Sequence, residues 1–263
     1  MSLSFEDYNN KGKEIAYIIK NNNVINKIYY IDSDDLPEDK QVLKKIRLND
    51  KDESFFPFLT TFDKEEQNDR IYICGESGCG KSYSMIRKYI ELFHKKYPKS
   101  KILLFTSKLQ DKALDDLKYI VRVVIDDDML INPLSVSELA ANSKPLLTIF
   151  DDIEDFPNKK INKEIERLRD EIMRNGRSSG IYILYTHHDP CDYKKTKSQI
   201  FEAKSICTFP KQSGAESYNY LYEKKLHLSK TVIKSITSIK SKFVIINKGN
   251  PKFIISDRYI VLL

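Results

Sequence analysis

The chain has 263 residues, 41% hydrophobic and 31% charged, which is enough for one large α/β domain with a core of its own and a small appendage. No apolar run approaches the ~18–20 residues that span a bilayer, and the opening MSLSFEDYNNKG lacks the apolar centre of a signal peptide, so membrane insertion and export are not expected. A net charge of +6 permits a nucleic-acid partner without requiring one, and four cysteines without CxxC spacing predict free thiols in a reducing compartment.

Residues 1–65 differ in pattern from the rest of the chain and read as a β-rich N-terminal appendage to a domain spanning 66–263. IAYIIK (15–20) and VINKIYYI (24–31), joined through asparagines that tolerate left-handed backbone, predict a strand–turn–strand unit. The polar DSDDLPEDK comes next; Lys40–Arg47 reads as a short basic helix, and SFFPFL (54–59) as an aromatic patch interrupted by Pro57. The polar stretch TFDKEEQND leads into the first core strand.

From Arg70 strands and helices alternate. RIYIC (70–74), KILLFT (101–106), VRVVID (121–126), PLLTIFDD (145–152) and GIYILYT (180–186) read as strands. Ser82–Tyr97, LQDKALDDL, SVSELAAN and 162–175 read as helices, the first from the helical spacing of Met85, Ile86, Tyr89, Ile90 and Phe93. Apolar runs without alternation, separated by amphipathic helices, predict a mainly parallel sheet buried on both faces, the three-layer α/β/α sandwich. Beyond Pro190 come the basic loop DYKKTKSQ, the short strand SICTF and two helical patches. KFVIIN (242–247) and KFIIS (252–256), joined through KGNP, close the chain as a β-hairpin.

Glycine is scarce, eight in all, yet Gly75, Gly78 and Gly80 fall within six residues. The segment Gly75-Glu76-Ser77-Gly78-Cys79-Gly80-Lys81-Ser82 matches G-x-x-x-x-G-K-[ST] in full, after a strand and opening a helix that continues with Tyr83. In such a loop backbone N–H groups and the helix N-terminus cradle phosphates, the lysine meets the β/γ oxygens and the serine hydroxyl meets Mg²⁺. This predicts a P-loop NTPase fold binding a nucleoside triphosphate with Mg²⁺, which the resemblance given below makes ATP. Some seventy residues on, an apolar strand ends in Asp151, placed to order the metal, and Asp152, placed to polarise the attacking water. Glu154 and Asp155 read as a solvated acidic loop.

Three kinds of P-loop protein compete. A GTPase would carry D-x-x-G where Asp151-Asp-Ile-Glu154 stands, and an aspartate where VIINKGN ends in Asn250. A small-molecule kinase would use RLRDEIMRNGR as a lid, though that segment reads as one helix leading into a strand. A ring-forming translocase needs an extra strand beside the metal strand, a polar sensor at its end, and an arginine reaching a neighbour's γ-phosphate.

In order and spacing, GESGCGKS, KSKILLFT, LLTIFDDIED and RNGRSSGIYILYTHH resemble the genome-packaging ATPases of poxviruses and other large nucleo-cytoplasmic DNA viruses and their virophage relatives, in the FtsK–HerA group. The resemblance covers residues 70–190. It departs at Ser178, where the family commonly has histidine after Gly-Arg, and at Thr186, His187 and His188, where the family commonly has glutamine. The resemblance implies an ATPase that moves double-stranded DNA into a capsid, as a pentameric or hexameric ring working with capsid or vertex proteins, in host cytoplasm or viral factory and in part with the virion. It makes Arg177 the arginine finger acting in trans, with Arg174 second, and gives the sensor role to one of Thr186, His187 and His188, His187 being favoured over His188. The catalytic set is then Lys81, Asp152, Arg177 and His187. A helicase-like or conjugative DNA pump, or a nucleotide-gated interaction protein with little hydrolysis, remain alternatives. DNA-contact candidates are Lys194, Lys195 and Lys197; Lys224 and Lys225; and Lys234, Lys240 and Lys242. YNYLY (218–222) reads as core-facing.

Overall fold

The computed structural model describes all residues but 61–67, 155, 193–195 and 212–214. The N-terminal segment gives β1 (Ser2–Ser4), β2 (Lys13–Lys20), β3 (Asn23–Ile31), β4 (Lys45–Arg47) and β5 (Glu53–Pro57). The expected hairpin is β2–β3, turned by Asn21 and Asn22 at φ 50° and 60°, the two left-handed residues that a right-twisted two-residue turn demands. β1 and β5 flank it in an antiparallel four-stranded sheet ordered β1-β3-β2-β5.

The second part begins with β6 (Arg70–Cys74), then a π-helical turn (Lys81–Ile86) running into α1 (Arg87–Lys96). There follow β7 (Ile102–Thr106), β8 (Ile120–Arg122), α2 (Asp128–Ile131), α3 (Val136–Asn142), β9 (Leu146–Asp151), α4 (Lys159–Asn175) and β10 (Ile181–His187). The chain finishes with α5 (Lys197–Glu202), β11 (Ser205–Thr208), α6 (Ala215–Tyr220) and its π-helical extension (Leu221–Lys225), α7 (Lys230–Ser238), β12 (Val244–Asn247), β13 (Phe253–Ser256) and β14 (Tyr259–Leu262). The large sheet has ten strands in the order β4-β14-β13-β12-β11-β6-β10-β9-β7-β8. From β11 to β8 every pairing is parallel, and from β11 outward to β4 every pairing is antiparallel. The terminal hairpin β12–β13 is present and is extended by β14.

Alternation along the strands sorts side chains into two cores. Ile71, Ile73, Leu147, Ile149, Tyr182 and Leu184 face α1 and the four-stranded sheet, packing with Met85, Ile90, Phe93, Phe55 and Phe56. Tyr72, Cys74, Phe150, Ile183 and Tyr185 face the other way, onto Ile165, Leu168 and Ile172 of α4. The three-layer α/β/α arrangement therefore holds, with the small sheet sharing one outer layer with α1.

Three local expectations are corrected. Lys40–Arg47 is not helical: Lys45 and Arg47 are exposed and Ile46 is buried, the alternation of an edge strand, and Lys45–Arg47 pairs with β14. The N-terminal segment is thus stitched into the large sheet as well as packed on α1. LQDKALDDL forms turns, because its aspartates are drawn into competing bonds: Asp111 Oδ1 accepts from Ala113 N, Asp115 binds Arg122, and Asp116 binds Arg87. The strand expected over 121–126 is only Ile120–Arg122, since it lies at the sheet edge and just one further bond, Val123 N to Leu104 O, continues the ladder.

Candidate active site

The glycine loop leaves β6 at Gly75, whose N–H donates to the His187 carbonyl and so fixes the loop to the end of β10. Gly78 and Gly80 take φ of 78° and 98°, left-handed backbone that side-chain-bearing residues rarely adopt. A Cβ on Gly75 would lie 2.8 Å from the Cys79 sulfur, so a third glycine is needed where the loop closes on itself. Glu76, Ser77 and Gly78 are exposed at the crest, Cys79 is buried, Ser82 is half-buried and Tyr83 is 67% exposed. Lys81 is 7% exposed and donates to the carbonyls of Gly75 and Glu76.

The strand order puts β10 between the P-loop strand β6 and the acidic strand β9, in register Thr186↔Ile73 and Tyr185↔Phe150. Three parallel strands thus end together, and their last side chains meet. Asp151 is 1% exposed and faces the α1 layer, where its Oδ1 accepts from Thr186 Oγ1 at 2.7 Å. Asp152 follows in left-handed backbone, φ 49°. His188 lies within 3.4 Å of Lys81 Nζ through Nδ1 and 3.0 Å from Asp152 Oδ1 through Nε2. The Asp152 Oδ1 contact is a close approach of the two groups without a hydrogen bond.

Lys108, two residues beyond β7, is a site residue that no motif in the sequence names. Its ammonium lies 2.5 Å from Asp152 Oδ2 and 3.2 Å from Asp151 Oδ2. The only signal was a lone lysine after an apolar strand, a type that ordinarily lines a solvated surface. A chain of contacts results, Lys81–His188–Asp152–Lys108–Asp151–Thr186, drawn from the ends of four elements. Burial and then the charge of Asp152 push the Asp151 carboxyl above its ordinary pKa, opposed by Thr186 and Lys108. Burial works against the Lys108 ammonium, but the bond to Asp152 and the two negative charges outweigh it and raise its pKa.

His187 is not part of this chain. Alternation turns its 4%-exposed side chain to the α4 layer, against Tyr72 and Tyr185, with Nε2 2.7 Å from Glu154 Oε1 and Nδ1 accepting from Asp189 N. The structure thus turns His187, the residue the sequence favoured, away from the acidic pair, whereas Thr186 bonds Asp151 and His188 lies beside Lys81 and Asp152. Glu154 is half-buried rather than fully solvated; burial opposes its charge, but His187 and Tyr185 hold its carboxyl below the usual range. Asp155 lies outside the described residues.

Arg174 and Arg177 are both exposed, at the opposite edge of the sheet. The turn between them rests on Gly176, where a Cβ would come 2.5 Å from the Ile172 carbonyl oxygen. Asn68 Nδ2 donates to the Arg177 carbonyl. The whole of β10, about 20 Å of strand, separates Arg177 from its own P-loop. Neither arginine has an ion pair among the described residues.

A divalent cation fits the donor set. The Asp151–Asp152 pair already holds a cationic group, the Lys108 ammonium, and the Ser82 hydroxyl opens the P-loop helix. Among the described residues no three His, Cys, Asp or Glu side chains are grouped to hold a metal, so such an ion would arrive with phosphate oxygens and water. Of the basic segments, Lys194 and Lys195 lie outside the described residues; Lys197, Lys224, Lys234, Lys240 and Lys242 are exposed and Lys225 is half-buried. Tyr218 and Tyr222 are buried as expected, while Tyr220 is 38% exposed. All four cysteines are free. No helix among the described residues is long and apolar enough to cross a membrane.

No family model matches the chain. A protein of Sputnik virophage, "Uncharacterized protein V3", is 30% identical over 254 residues, 96% of each chain. The genome packaging NTPase B204 from Sulfolobus turreted icosahedral virus 2, in complex with sulfate, superposes with TM-score 0.52 at 18% identity, over 72% of this chain and 96% of that one. The pCW3 conjugation coupling protein TcpA, with ATPγS, superposes with TM-score 0.53 at 14% identity, over 94% of this chain and 77% of that one.

Proposed function

We propose that this chain, which belongs to the family of the virophage protein V3 and is of the FtsK–HerA type of P-loop ATPases, hydrolyses ATP to drive double-stranded DNA into a viral capsid. The observation that carries the reading is the insertion of β10 between β6 and β9, which gathers a P-loop lysine, two carboxylates and a polar strand end at one edge. The fold shared with B204, a genome packaging NTPase also solved with AMPPCP, supports it.

In this reading the glycine-loop N–H groups and Lys81 neutralise the β- and γ-phosphates, and Tyr83 lines the nucleotide's approach. Ser82 and Asp151 hold Mg²⁺, which when bound screens the phosphate oxygens and the charge that develops on them. Asp152 takes the lytic water, with its carboxylate fixed between Lys108 and His188. Thr186 reports on the metal through its bond to Asp151, and so fills the sensor position.

Arg177 acts on a neighbour's nucleotide. A residue a full strand length from its own P-loop can contribute to hydrolysis only across a subunit boundary, and the resemblance to packaging ATPases supplies the form of that assembly, a ring of five or six copies at a capsid vertex, in the cytoplasm or viral factory. An arginine finger is worth ~10³–10⁵ in rate. Arg177→Ala should therefore abolish turnover in assembled protein while leaving ATP affinity near normal, and normal hydrolysis by that variant removes the assignment.

A further inference from the structure

Lys108 stands in the acidic site although neither phosphate nor metal binding calls for a lysine there. Within its own loop the ammonium has one distant partner, Asp111 Oδ2 at 3.8 Å, and the loop has other bonds that hold its shape. Its carbonyl accepts from Arg122 Nη1 at 2.6 Å, its N–H donates to Thr106 Oγ1 at 3.2 Å, and Ser107 Oγ donates to the Asp152 carbonyl at 2.6 Å. Thr106 is in register with Asp151, so the β7–β9 ladder sets the separation of the two strand ends. The side chain, 38% exposed, nevertheless spans both carboxylates instead of extending into solvent. Two adjacent carboxylates, one of them fully buried, repel each other and lose hydration on folding; a cation between them offsets both costs.

Asp151 Oδ1 accepts from Thr186 and its Oδ2 faces Lys108; Asp152 Oδ2 faces Lys108, and its Oδ1 lies 3.0 Å from His188 Nε2 without a hydrogen bond. Lys108 thus occupies, on both carboxylates, a position that a second cation would compete for.

We propose that Lys108 is the resident counter-cation of the Asp151–Asp152 pair, displaced from Asp151 by the divalent cation that enters with the nucleotide and retained on Asp152 to aim it. This rests on the proposed binding of ATP at the P-loop. It makes metal entry a competition, keeps the acidic pair neutralised when metal leaves with product, and leaves Asp152 fixed from both sides during turnover. Lys108 is a positioning residue in this scheme: it acts through the two carboxylates.

The test is Mn²⁺ binding to the full chain in the presence of AMPPCP, followed by electron paramagnetic resonance, with melting measured in EDTA and in Mg²⁺. Lys108→Met should bind Mn²⁺ about tenfold tighter than wild type, because the competing charge is gone. The same variant should melt lower in EDTA, recover in Mg²⁺, and lose turnover. Lys108→Arg, which keeps the charge, should stay near wild type. Lys108→Gln, which removes the charge but keeps a donor, gives the same reading should the Met variant fail to fold. A general structural defect would weaken metal binding, so tighter binding is specific to this role. Unchanged or weaker Mn²⁺ affinity in the folded neutral variants overturns the proposal. Wild type that takes up no Mn²⁺–AMPPCP overturns instead the ATP-binding reading beneath it.

Discussion

Removing one hydroxyl at the end of β10 tests the reading of that strand most closely. Thr186→Val keeps size and branching, but deletes the donor at 2.7 Å from Asp151 Oδ1 and the weaker acceptor 3.3 Å from Asp152 N. Thr186 is 2% exposed and Asp151 1%, so water does not readily replace the bond. A hydrogen bond to a charged group contributes about 1.5–3 kcal/mol. Burial and Asp152 already raise the pKa of the Asp151 carboxyl, and Thr186 opposes them, so its loss raises it further. In the proposed mechanism the ionised carboxylate is the form that would order the metal. The acid limb of the rate profile should therefore move to higher pH, with kcat falling at pH values on that limb and KM for ATP little changed. Steady-state ATPase assays from acid to neutral pH measure both. A variant with wild-type kcat and an unmoved acid limb refutes the sensor assignment.

Other contacts carry expectations of their own. Gly176→Ala should destabilise the fold by about 1–3 kcal/mol in urea unfolding, since its Cβ would press on the Ile172 carbonyl, whereas Ser178→Ala at the exposed next turn should be near neutral. Glu154 titrates below its unfolded value, so its stabilisation is present above about pH 4.5 and is lost as pH falls through the folded pKa; melting curves of Glu154→Gln should show a flatter acid limb than wild type. Cys191, half-buried, should react with a thiol reagent before Cys74, Cys79 and Cys207, which are buried and whose thiols burial pushes up; mass mapping of the labelled peptides reads the order.

Much of the sheet was legible because its strands are unbroken apolar runs, which only burial on both faces explains, and because the glycine loop fixes which strand is β6. The β2–β3 turn announced itself through consecutive asparagines. Lys45–Arg47 did not, since three residues are too few to show a period and their partner β14 lies more than two hundred residues away. The turns over 109–117 carry apolar residues at helical spacing, but the aspartates among them bind backbone and arginines seen only after folding. At the site, motif spacing named Lys81, Asp151 and Asp152. Among Thr186, His187 and His188 it favoured His187, although strand alternation turns that side chain away from the α1 face of β10. Lys108 was out of reach, because its role depends on the register of β7 beside β9.

A motor assembled so that one copy completes another's site is revealed by ATP hydrolysis measured against protein concentration, with and without duplex DNA. The specific rate should rise with concentration as subunits assemble, rise again with duplex DNA, and fall when Arg177→Ala protein is mixed into wild type. A specific rate independent of concentration and DNA, or the absence of hydrolysis at any concentration, contradicts the account.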